Sequence, residues 1–171
     1  MSELALDQEL EQKELACVVI PTGSDTLLLP NVCVAEIVKT KAIKAVDQGP
    51  PWLTGITGWR GQTICVVDIA GFDGGDGQVE CQGQVTQSAM HRCLVVMNRS
   101  RVPEAPAFYG LLATSLPRIL QLTAADMKNQ SDTLGNADAM KVLVGTELAT
   151  IPDLEFVERN LQRLQAQLQL D

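Results

Sequence analysis

A chain of 171 residues that is 46% hydrophobic but only 4% aromatic has the apolar mass for one domain or two small interlocked lobes, built on an aliphatic core. Its 13 Lys and Arg stand against 21 Asp and Glu, a net charge of −8, which argues against nucleic acid and anionic lipid as partners, since both need basic patches. Cys17, Cys33, Cys65, Cys81 and Cys93 form no Cys-x-x-Cys spacing and read as reduced thiols. Four lie in apolar runs, and Cys81, in a polar loop, is the candidate for reactivity.

Residues 1–13 (MSELALDQELEQK) are polar and acidic and read as a flexible arm. They hold no apolar core of a secretory signal, and no stretch approaches the roughly 20 apolar residues that cross a bilayer. A cytoplasmic protein without direct membrane insertion is expected. Strands are predicted at Leu15–Ile20, at Thr26–Leu29 after the turn cluster Pro21–Asp25, and at Val32–Val38. In the third, alternation puts Val32, Val34 and the stem of Glu36 on one face, and Cys33, Ala35 and Ile37 on the other.

Pro50-Pro51-Trp52-Leu53 opens a turn, Gly55–Gly58 is a short strand, Trp59-Arg60-Gly61 a corner, and Gln62–Ile69 a dense strand. Hydrophobicity then collapses over Gly71–Ser88 (GFDGGDGQVECQGQVTQS), the predicted loop between lobes. Strands follow at Arg92–Met97, Ala107–Thr114 and Leu116–Leu122. Thr123–Asp126 has the form of a helix start, 129–140 reads as loop, and Val142–Ile151 as a final strand. After Pro152-Asp153, the apolar stripe Leu154, Val157, Leu161, Leu164, Leu168 predicts a helix. The stripe spans little more than two heptads. Packing on its own lobe is expected, with self-association through this C-terminal helix as the alternative. The organisation is an arm at 1–13, a mainly β domain at 14–158 and a helical extension at 159–171.

Chemistry-bearing motifs are few. Asp68, ending VVDI, reads as a turn cap, because a phosphoacceptor site needs an earlier acidic pair, a later lysine and alternating helices. The run AGFDGGDGQ matches neither a dinucleotide fingerprint nor a calcium loop, so no cofactor and no metal are expected. His91, the single histidine, lies in no nucleophile motif. Paired with Cys17, Cys65 or Cys93 it leaves a thiol hydrolase as a rival reading.

The runs LLPNVCVAEIV and GPPWLTGITGWRGQTICVVDI resemble the CheW family of bacterial chemosensory adaptors, at Leu29-Pro30, Val34, Glu36, Pro51, Trp52, Gly55, Arg60, Gly61, Val66, Val67 and Asp68. CLVVMN and LPRILQLTAADM extend the likeness over roughly residues 15–158. The resemblance implies two intertwined five-stranded SH3-like β-barrel lobes with short helices and a C-terminal helix. It implies no enzymatic activity and no cofactor. The implied partners are a CheA-type histidine kinase and the cytoplasmic tip of methyl-accepting chemoreceptors. Departures include Gly58-Trp59 where the family has Asn-Leu, the 71–88 loop and the extended helix. They fit an accessory adaptor of the kind found in type IV pilus (twitching) clusters.

Arg60, in a glycine-flanked corner, matches the arginine central to receptor and kinase coupling in that family. Glu36 is its expected partner, on the neighbouring strand. Val34, Ile64, Val66 and Leu111 are candidates for an apolar groove that receives a helical tip, and Trp52 is either a hot spot or a lid. A free-standing SH3-like peptide binder is the third functional reading.

Overall fold

The computed structural model describes residues 8, 12–23, 25–73, 93–130 and 133–168. His91, Cys81 and most of the 71–88 segment lie outside the described residues. Among the described residues, eleven strands are followed by one long helix: β1 Leu15–Pro21, β2 Thr26–Pro30, β3 Val34–Lys39, β4 Leu53–Trp59, β5 Gln62–Val67, β6 Cys93–Asn98, β7 Phe108–Ala113, β8 Arg118–Leu122, β9 Met127–Gln130, β10 Asp138–Val144, β11 Glu147–Pro152 and α1 Leu154–Leu168.

Two sheets form, a six-stranded one in the order β8-β1-β2-β11-β10-β9 and a five-stranded one in the order β3-β6-β7-β5-β4. The first draws on both ends of the chain, so the second lobe is inserted into it. The chain crosses between sheets at the 3-10 turn Asn31–Cys33 and again between Ala113 and Arg118. The strands on either side of the 71–88 segment, β5 and β6, belong to the same sheet. That loop is therefore not where the sheets divide, although hydrophobicity is lowest there.

Each sheet curls until its edges meet. In the six-stranded sheet, the edge strands β8 and β9 are joined by the single turn Ala124–Asp126, and Leu122 and Met127 enter the same core. In the five-stranded sheet, Lys44, in the segment after β3, forms an antiparallel bridge with Ile56 of β4. Gly55 makes this approach feasible, since a Cβ there would lie 2.4 Å from the Lys44 carbonyl oxygen.

The strands are apolar on both faces because each face meets a different core. On β1, Cys17 and Val19 fill the six-stranded lobe, while Val18 and Ile20 point into a central cluster between the lobes. On β6, Leu94 and Val96 fill the five-stranded lobe, and Val95 and Met97 join the same central cluster. Val18, Val95, Val96 and Met97 are almost wholly shielded, and burial of each contributes about 1.5–3 kcal/mol. Leu154, Val157, Leu161 and Leu164 of α1 close this central core. The stripe is thus consumed within its own chain, which removes it as a surface for self-association through Leu164. Asp153 starts the helix, its Oδ1 accepting from the Phe156 N–H at 3.1 Å.

Several elements depart from the sequence expectation. The strand expected from Val32 begins at Val34, because Asn31–Cys33 coils into a 3-10 turn, and a bulge between Val34 and Glu36 breaks its alternation. Thr123–Asp126 is a start signal for only one turn. The Asp126 carboxylate accepts from the Thr123 N–H and hydroxyl, and the chain then extends as β9, whose last two residues fall in the span expected to be loop. The single strand expected at Val142–Ile151 is a hairpin folded at Gly145-Thr146, which gives this sheet six strands instead of five.

Candidate functional site

The most distinctive surface feature is the tip of the β4–β5 hairpin. Trp59 pairs with Gln62, which leaves Arg60-Gly61 as a two-residue loop with φ of 47° and 76°. Two positive values in succession are the geometry of a type I′ turn, whose twist suits a hairpin but whose first position favours Asn, Asp or Gly. Arginine there costs on the order of 1–3 kcal/mol of backbone strain. Gly61 accepts the second position without cost, and a Cβ on it would meet only open space.

Three side chains converge at this tip. Arg60 Nε lies 3.3 Å from Glu36 Oε2, with the arginine 66% and the glutamate 35% exposed. The Trp59 indole Nε1–H donates to the same Oε2 at 2.8 Å. The Arg60 guanidinium carbon lies 5.0 Å from the Trp59 ring centroid, a cation–π contact worth about 0.5–1 kcal/mol at an exposed site. The indole bond, the Arg60 charge and the nearby Lys41 hold the Glu36 carboxyl below its ordinary pKa. The Trp59 ring itself is buried, packed on Phe108 at 4.8 Å and on the Ile64, Val66, Leu94 core.

The expected Arg60–Glu36 pair is present, but by a different route. β3 and β4 sit at opposite ends of the sheet order, so the contact comes from sheet closure and not from strand adjacency. The sequence reading missed Trp59, although it stood out there as a departure from the Asn-Leu pattern. An indole beside a Gly-flanked arginine was the available signal.

The other candidates lie elsewhere. Ile64, Val66 and Leu111 are 3%, 0% and 1% exposed, so they are core and cannot line an open groove. Ile64 and Val66 fill the five-stranded lobe and Leu111 the central cluster, so both faces of these strands are covered. Val34 is half-buried against the central cluster. Trp52 is a lid. It is buried, stacked on Phe72 at 4.8 Å and 10°, and Phe72 in turn meets Phe156 of α1 edge-on. The Asp68 carboxylate accepts from the Ala70 N–H at 3.1 Å, as a turn cap does.

Two further clusters are structural. A cleft of about 460 Å³ is bordered by Asp25, Asp73 and Asp138. Each of these carboxylates is already engaged, Asp25 by Thr26 and Thr150, Asp73 by Asn136, and Asp138 by Gly135. Glu158 on α1 is fully buried and accepts from the backbone N–H of Ser100 and, at 3.0 Å, of Arg101. Burial, followed by the Glu158 charge, keeps the neighbouring Tyr109 phenol protonated far above its ordinary range. Burial likewise raises the thiols of Cys17, Cys33 and Cys65. No group of three His, Cys, Asp or Glu is placed to hold a metal among the described residues, and no helix among them is long and apolar enough to cross a membrane.

Comparison with known proteins places this architecture. A family model described as "CheW-like domain" matches residues 16–159. Among solved structures, the chain is similar to the scaffolding protein TtCheW from Thermoanaerobacter tengcongensis. The TM-score is 0.60 at 16% identity, covering 82% of this chain and 84% of that one, which supports the CheW-like fold with its SH3-like lobes. No curated protein sequence matches.

Proposed function

The chain belongs to the CheW-like domain family, and from that premise we propose that it is a non-catalytic adaptor coupling methyl-accepting chemoreceptors to a CheA-type histidine kinase. The observation that carries this reading is the hairpin tip. A strained arginine, held by Glu36 and Trp59, stands out of a closed and rigid lobe, where it is offered to another polypeptide. Ile64, Val66 and Leu111 are spent inside the molecule, so at this lobe the contact falls to the exposed Arg60 and its partner Glu36. Such contacts suit a modest interface between proteins that assemble and come apart.

The accessory, type IV pilus setting rests on the departures noted above: Gly58-Trp59, the 71–88 loop and the C-terminal helix. Deleting the gene tests that setting. Loss of twitching with swimming intact supports it, and the reverse refutes it. The coupling role is tested by sedimenting the full chain with purified kinase and receptor-bearing membranes. The adaptor reading predicts a ternary complex that Arg60→Ala weakens while leaving the melting temperature unchanged. A ternary complex indifferent to Arg60 refutes the role of the tip.

A further inference from the structure

We propose that Trp59 is the positioning residue of the hairpin tip: it fixes Glu36 from below and so aims the terminal nitrogens of Arg60 at a carboxylate on the kinase. This inference rests on the adaptor reading and adds to it a partner chemistry and a residue.

The argument begins with geometry. Glu36 Oε2 takes both the Trp59 indole N–H at 2.8 Å and the Arg60 Nε at 3.3 Å. Nε is the inner edge of the guanidinium. Among the described residues, no ion pair or hydrogen bond engages Nη1 or Nη2, and the side chain is 66% exposed. A guanidinium held by its inner edge presents two parallel N–H bonds outward, the spacing that a carboxylate receives in bidentate fashion.

Charge points the same way. The protein carries −8 overall, yet two cations, Arg60 and the exposed Lys41, act on the Glu36 carboxylate at the tip. Glu36 offsets only one of these two cations, which leaves positive charge at this corner of an acidic protein. An acidic partner surface is attracted here and repelled elsewhere.

Trp59 is what makes the arrangement rigid. Its ring is anchored in the core against Phe108, and among the described residues its indole N–H is the only hydrogen bond to Glu36 from a buried group. The ring also lies within cation–π distance of the guanidinium. Without the N–H, a half-exposed glutamate and a mostly exposed arginine form a mobile surface pair of the kind that contributes little.

The test uses the full chain with purified CheA-type kinase, measured by isothermal calorimetry. Trp59→Phe keeps an aromatic ring, though a smaller one, and removes the N–H donor, and is expected to weaken kinase binding on the order of tenfold. Arg60→Lys keeps the charge and loses the fork, and is expected to weaken it as much as Arg60→Ala does. The Trp59→Phe/Arg60→Ala double variant is expected to bind no worse than Arg60→Ala alone, because Trp59 acts through Arg60. Full binding by Arg60→Lys, or by a folded Trp59→Phe, overturns the proposal. If Trp59→Phe does not fold, the wild-type protein still decides. Its Trp59 indole N–H resonance should move with pH, with a midpoint below the ordinary carboxylate range, as Glu36 protonates. An indole signal that stays still through that range overturns the clamp. Wild-type protein that binds neither kinase nor receptor overturns the adaptor reading instead, and the indole titration keeps the two failures apart.

Discussion

Replacing Glu158 by alanine is the substitution with the largest stability effect expected away from the apolar core. Its carboxylate is fully shielded and is the acceptor for two consecutive backbone N–H groups, those of Ser100 and Arg101, with the Ser100 hydroxyl at 3.5 Å. These donors start the loop between β6 and β7, so one glutamate on α1 ties the inserted lobe to the helix that closes the central core. Truncation takes the partner from two donors at a partly buried site, at about 1–3 kcal/mol each, and opens a small cavity. The expected loss is about 3–5 kcal/mol, a large share of the roughly 5–15 kcal/mol that stabilises a domain. Urea unfolding followed by far-UV circular dichroism reads this as a midpoint lowered by about 1–5 M for an m-value of about 1–3 kcal/mol/M. Glu158→Gln retains one carbonyl acceptor and turns an NH2 toward the other donor, so an intermediate loss is expected. A Glu158→Ala midpoint within 0.5 M of wild type, as a rough bound at these m-values, refutes the view of this carboxylate as a buried clamp.

Asp153→Ala removes the side-chain acceptor from the Phe156 N–H and is expected to cost about 1 kcal/mol, read in the same urea assay, while Asp153→Ser is expected to restore most of it. Burial raises the thiols of Cys17, Cys33 and Cys65, so at neutral pH these three should react with a thiol reagent far more slowly in the native protein than in urea, followed residue by residue by mass spectrometry. Rapid native labelling of Cys17, the deepest of them in a lobe core, contradicts the packing described here.

The strands and turns from Leu15 to Val67 were largely legible because proline, glycine and β-branched residues punctuate them at short range. What the sequence left ambiguous was which faces meet solvent. Ile64, Val66 and Leu111 read as groove residues because a groove needs aliphatic side chains, and an aliphatic residue type says nothing of what covers it. Here one face fills a lobe and the other fills the core between lobes. The Arg60–Glu36 contact was legible as a pair but not as a closure, since β3 and β4 are far apart in the sheet order. Glu158 was invisible. A glutamate next to Val157 on an amphipathic helix reads as solvent-facing, and only the loop folding back over it supplies the donors that keep it inside. The hairpin at Gly145-Thr146 was missed because an apolar run on both sides of a short turn resembles one long strand.

The central claim is that this protein joins two others through a preformed surface. It is tested most directly by the phosphorylation rate of a CheA-type kinase on receptor-bearing membranes, with and without the chain. The account predicts that adding the wild-type protein raises the rate in the presence of receptor and that Arg60→Ala at equal concentration does not. A rate that wild-type protein leaves unchanged, with kinase and receptor shown to be active beside a known adaptor, contradicts it.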